Sequence, residues 1–65
     1  MIELTKLNGD RFWLNPHLIE FIEETPDTVL AMQSGKHIIA KERVDEVIGR
    51  IIEYRRKLGN AKQEE

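Results

Sequence analysis

The residues best equipped for chemistry in this 65-residue chain are His17, His37 and several runs of carboxylates. The histidines stand twenty positions apart, one beside a proline turn and one at the start of an apolar run. Neither HxxxH nor HExxH spacing occurs, so a metal site lacks ligands. The chain has no cysteine, which excludes thiolate metal sites and disulfides. Carboxylates cluster at Glu23-Glu24, at Glu42 with Asp45 and Glu46, and at Glu64-Glu65. General acid–base work needs two carboxylates held in one cleft, and a chain this short has little room for one. Ser34, Thr5, Thr25 and Thr28 have no general base nearby in sequence. Asn8-Gly9 and Ser34-Gly35 are isolated turn signals, not a phosphate loop. The expectation is a protein that is not an enzyme and carries no metal and no cofactor.

Two features suit binding instead. Trp13 is the sole tryptophan and lies between Phe12 and Leu14. If those neighbours face a core, Trp13 faces outward, where an exposed indole is a good anchor for a partner; the other reading is that it covers the second apolar face of the strands within its own chain. Arg50, Arg55, Arg56 and Lys57 form a basic cluster near the end of the chain. They suit phosphates or anionic lipid, and a small RNA- or DNA-binding module is the alternative reading. The plainer account is that they complement a helix dipole and aid solubility. A formal net charge of −2 argues against nucleic acid as the main partner.

The elements that position these residues follow from hydrophobic periodicity. The first two-thirds alternates with period two. Strands are expected over Ile2 to Leu7, Arg11 to Leu14, Leu18 to Glu23, Val29 to Gln33 and Lys36 to Ala40. Asn8-Gly9 and Ser34-Gly35 are hairpin signals. Asn15-Pro16-His17 interrupts the ladder because proline lacks an N–H. Thr25-Pro26-Asp27-Thr28 makes a turn. Turns this short require antiparallel pairing. The period then becomes helical: Val44, Val47, Ile48, Ile51, Ile52 and Leu58 follow an i, i+3, i+4 spacing, with Arg55 in the same stripe. Acidic residues at the start and basic residues at the end fit the dipole. Glu46–Arg50 and Glu53–Lys57 are favourable i, i+4 pairs. Gly59 is suited to ending the helix. Gly49, within it, costs about 1 kcal/mol relative to alanine and often allows another backbone to approach.

The fold class is therefore α+β: a five-stranded antiparallel β-meander, strongly twisted, with barrel closure one of two ways to bury its second face, followed by one C-terminal amphipathic α-helix. Residues 1–59 form a single domain and residues 60–65 a polar tail. Several strands are apolar on both faces: Leu18 and Ile22 alternate with Ile19 and Phe21, Leu30 and Met32 with Val29 and Ala31, and Ile38 with Ile39. One helix covers one face of a small sheet, so the excess must be buried by barrel curvature or by another chain. A core this small supplies only about 3–5 kcal/mol, and a homo-oligomer is expected. The N-terminus alternates where a secretory leader would run apolar, and no segment is long enough to span a membrane. A cytoplasmic protein without membrane insertion is expected.

Leu4-Thr5-Lys6-Leu7-Asn8-Gly9, Phe12, Leu14-Asn15 and Leu18-Ile19-Glu20 carry a family likeness. It continues through Ile22-Glu23, Thr25-Pro26-Asp27-Thr28, Gly35-Lys36, Lys41-Glu42, Val47-Ile48 and Tyr54-Arg55-Arg56. In order and spacing these resemble the small flagellar FlbD/SwrD family of Gram-positive and related bacteria, over about residues 1 to 58. That family is distinct from the large transcriptional activator that shares the FlbD name. The resemblance implies a role in flagellar motility and swarming, supporting motor power through the stators, at the cytoplasmic periphery of the motor. It implies no catalysis and no cofactor. Two positions depart from the family pattern: Ser34 stands where asparagine is frequent, and Arg43 where a serine often caps the helix. The layout of five strands and a helix also resembles the carbon-storage-regulator RNA-binding proteins. This chain lacks their glycine- and proline-marked later strands and their basic edge.

Overall fold

Two hairpins of the same design organise the strands. In the first, Lys6 N–H donates to Asp10 C=O at 2.7 Å and Gly9 N–H to Lys6 C=O at 2.9 Å. In the second, Met32 N–H donates to Lys36 C=O at 2.8 Å and Gly35 N–H to Met32 C=O at 2.9 Å. Gly9 and Gly35 both adopt positive φ, +99° and +94°. Each connection is thus a three-residue loop closing on a left-handed glycine, one of the common hairpin designs. Leu7 and Gln33, expected at strand ends, belong to these loops, so their strands stop at Thr5 and Met32.

The structure, a computed structural model, describes residues 1–62, with side chains as far as Gly59. Its elements are β1 (Ile2–Thr5), β2 (Arg11–Leu14), a one-turn 3-10 helix (Pro16–Leu18), β3 (Ile19–Glu24), β4 (Thr28–Met32), β5 (His37–Ala40) and α1 (Val44–Lys62). All strand pairs are antiparallel. The α+β class holds, but the single five-stranded meander and the barrel do not. The strands form a two-stranded sheet, β1-β2, and a three-stranded sheet, β3-β4-β5. The break falls at Pro16. Asn15 Oδ1 accepts the His17 N–H at 3.0 Å and starts the 3-10 turn, which carries β3 away from β2. The sheets meet through Lys41 N–H to Thr5 C=O at 2.7 Å, while Gln33 N–H to Leu18 C=O at 2.8 Å extends the β3–β4 ladder by one step.

A bulge sorts the apolar residues of β3. Ile19 pairs with Met32 but Phe21 pairs with Ala31, so Glu20 is an extra residue on the β3 side. Strict alternation places Ile19 beside Phe21. The bulge reverses that: Ile19 and Ile22 both pack on the core, while Phe21 is exposed. Beyond it, β4 and β5 alternate as expected. Leu30 pairs with Ile22 and Ile38 on the inner face. Phe21, Val29 and Ile39 lie on the outer face, and Phe21 and Ile39 remain exposed there.

The core joins Ile2, Leu4 and Leu14 of the hairpin to Leu30, Met32 and Ala40 of the larger sheet and to Val47 of α1. Leu4, Leu30 and Val47 are fully buried. The helical stripe divides: Val47 is buried and Ile51 and Tyr54 pack on the core, but Ile48, Ile52 and Leu58 are exposed. Gly59 does not end the helix, whose backbone continues to Lys62; residues 63–65 of the expected tail lie outside the described residues. Glu53 pairs with Arg56 at 3.6 Å in place of Lys57, whereas Glu46–Arg50 forms as expected at 2.7 Å.

The glycines yield a test with two signs. A Cβ added at Gly9 or at Gly49 would meet nothing within 4 Å. Gly9→Ala is expected to destabilise by about 1–2 kcal/mol, since it forces alanine into the left-handed region. Gly49→Ala is expected to stabilise by up to about 1 kcal/mol through helix propensity. Urea titrations of dilute protein give both values.

Candidate partner-binding surfaces

Trp13 owes its place to β2. Leu4 pairs with Phe12 and Ile2 with Leu14, and these four side chains turn inward. Trp13, paired with Glu3, points out and is 62% exposed. It forms one wall of a cleft of about 340 Å³, bounded by Leu14, Asn15, Leu18, Met32, Gln33, Ser34, Lys36 and Ile38. The cleft lies where the 3-10 turn separates the two sheets, and the same break leaves Leu18 exposed on its rim. Among the described residues Lys36 is the only charged side chain in its wall. Trp13, Leu14, Leu18, Met32 and Ile38 make its apolar part and Asn15, Gln33, Ser34 and Lys36 its polar part, and a concave site of mixed lining is the usual place for a ligand.

The four basic residues do not make one patch. Successive helical residues are turned by about 100°, so Arg50 and Lys57 share one side of α1 while Arg55 and Arg56 lie on others. Arg50 and Lys57 border a second depression, of about 360 Å³, beside β1. Among the described residues, the side chains of three cations, Arg11, Arg50 and Lys57, and of three carboxylates, Glu3, Glu42 and Glu53, line it together with Met1. Charge is balanced there, a poor match to a phosphate chain.

Arg50 is occupied internally. Its guanidinium donates to the Glu3 carbonyl, to Glu42 Oε2 at 3.3 Å and to Glu46 Oε2 at 2.7 Å. Glu42 in turn accepts the Thr5 N–H at 3.0 Å and the Thr5 hydroxyl at 2.7 Å. With Lys41 N–H on Thr5 C=O, the outer edge of β1 is closed by residues from the β5–α1 junction. An open strand edge invites pairing with another chain; here two side chains and one backbone amide cover it. Burial pushes the Glu42 carboxyl up. The hydrogen bonds from Thr5 and from its own backbone N–H, with the Arg50 charge, outweigh burial and hold it below the usual 4.5.

Sequence reasoning placed Glu42 only among the acidic residues that complement the helix dipole; its bonds to Thr5 depend on the unmatched edge of β1, which lies 37 residues away in the chain. Arg43, which stands at the capping position, sends its side chain to Glu24 at 3.3 Å, and its carbonyl accepts the N–H groups of Glu46 and Val47. His17 packs edge-on against Tyr54, ring centroids 5.7 Å apart, tying the 3-10 turn to α1. Among the described residues no three His, Asp or Glu side chains are grouped to hold a metal ion, and no helix is long and apolar enough to cross a membrane.

By class this is a small α+β domain of two antiparallel sheets and one C-terminal helix, with an aromatic-walled cleft on its surface. The profile of the FlbD family, described as flagellar and swarming motility proteins, matches residues 1–59, and the chain belongs to that family. No curated protein and no solved structure matches it.

Proposed function

We propose that this protein is a non-enzymatic motility factor that supports flagellar motor power by binding a motor component, with the stator as the partner class. Family membership over residues 1–59 supports the motility setting. The observation that carries a binding mode is the exposed Trp13 on the wall of the 340 Å³ cleft. The protein works by favouring one state of its partner, because a ligand shifts an equilibrium only through its differential affinity for the two states. It acts from the cytoplasmic periphery of the motor.

The RNA- or DNA-binding alternative rests on Arg50, Arg55, Arg56 and Lys57. The internal bonds of Arg50 and the balanced charge around Lys57 weigh against it. Deleting the gene in a motile host is expected to reduce swimming torque and swarming while flagella remain assembled. Normal torque in the deletion strain would sink the proposal, and loss of filaments would move the role from power to assembly. Retardation of total RNA at low salt would favour the alternative.

A further inference from the structure

The flank of α1 turned away from β1 carries two exposed isoleucines, Ile48 at 42% and Ile52 at 52%. Helical geometry places Asp45, Gly49 and Arg56 on this same flank. A Cβ at Gly49 would meet nothing within 4 Å, so the helix surface there is a shallow notch between the isoleucines. Asp45 has no side-chain partner among the described residues, and Arg56 touches only Glu53, at 3.6 Å, with both side chains exposed. The acidic end and the basic end of the flank stand about 16 Å apart along the axis.

This pattern is self-complementary in one direction. We infer that the flank is the interface with a second copy of this chain, the two α1 helices packing antiparallel about a two-fold axis between the levels of Arg50 and Ile51. In that arrangement Asp45 meets the partner's Arg56, and Arg56 meets the partner's Asp45. Ile52 fills the notch over the partner's Gly49, and the reverse contact follows by symmetry, as an isologous interface requires. A parallel pair would set Asp45 against Asp45 and Arg56 against Arg56. Helix axes approach most closely where one side offers no side chain, so Gly49 gains a reason for its place in mid-helix, where it otherwise costs stability. The inference is independent of the motility proposal. One helix face is small against the roughly 800 Å² per partner of a standard interface, so the dimer forms in the micromolar range.

Sedimentation equilibrium of the full chain from about 1 to 500 µM tests this. The mass is expected to rise from 7.6 kDa toward twice that value. Gly49→Leu favours the helix but fills the notch, and is expected to weaken dimerisation at least about tenfold with thermal unfolding of dilute protein unimpaired. Asp45→Arg and Arg56→Asp each set like charges together and are expected to weaken it by a similar factor of about ten. The double variant Asp45→Arg/Arg56→Asp is expected to recover most of the affinity. A mass that stays at one chain throughout overturns the inference and leaves the flank to a different protein. A dimer indifferent to Gly49→Leu, or single-charge defects that the double variant fails to repair, overturns it equally.

Discussion

Glu42→Ala is expected to lower stability by about 2–3 kcal/mol, most of what a single core of this size provides. The Glu42 side chain is only 8% exposed and accepts from the Thr5 N–H, the Thr5 hydroxyl, the Arg50 guanidinium and its own backbone N–H. Removing it leaves the Thr5 amide and hydroxyl without this acceptor and takes one of three acceptors from the half-buried Arg50. Losing one partner of such a group costs more than the net worth of the bond. A fall in Tm of at least about 10 °C is the expected reading. Glu42→Gln, which keeps an oxygen for Thr5 but loses the charge facing Arg50, should fall between. The pH dependence has a definite sign. The folded-state pKa is held below 4.5, so the unfolded chain binds the proton more readily. The contribution of the ionised carboxylate is therefore complete above the usual carboxylate range and fades as pH falls below it through the folded value. The gap between wild type and Glu42→Gln should narrow on acidification; a gap that widened in acid would refute the assignment.

Trp13→Ala is expected to abolish swarming while leaving the fold intact. A side chain that is 62% exposed and points away from Leu4, Leu14 and Leu30 contributes little to the core, so a change within about 0.5–1 kcal/mol is expected in a thermal melt. A buried interfacial tryptophan is a different matter, since truncation commonly costs about 2–4 kcal/mol of binding. That corresponds to a loss in affinity of roughly 30- to 1,000-fold. Complementing a deletion strain with the variant, with its cellular level checked, separates the two effects. Full swarming with Trp13→Ala would remove the cleft from the proposed mechanism.

How much of this was legible depended on the range of the information involved. The outward direction of Trp13 follows from local alternation with Phe12 and Leu14, and the structure keeps it. The hairpin glycines and the start of α1 were equally local. The break between the sheets was signalled by Pro16, but a missing N–H alone does not say that the chain will turn away from β2. The Glu20 bulge has no signature of its own: a glutamate looks the same in a regular ladder as in a bulge. It nevertheless decides that Ile19 goes inside and Phe21 outside. The pairing of Arg50 with Glu46 was local and legible, but its bonds to Glu3 and Glu42 were not, because they are set by how α1 lies across β1. Arg55 and Arg56 follow Arg50 in sequence but not on the helix surface.

The closure of the β1 edge also sets a timetable. Thr5 waits for Lys41 and Glu42, and Glu3 waits for Arg50, a separation of 47 residues. Synthesis runs at about 5–20 residues per second, so for roughly 2–10 seconds the emerging hairpin has a bare edge and no lid for Ile2 and Leu4. Contacts this distant in the chain slow folding. The β1–β2 hairpin is made before the segment that locks it, and its safety from mispairing during translation rests on Lys41, Glu42 and Arg50 further along the chain.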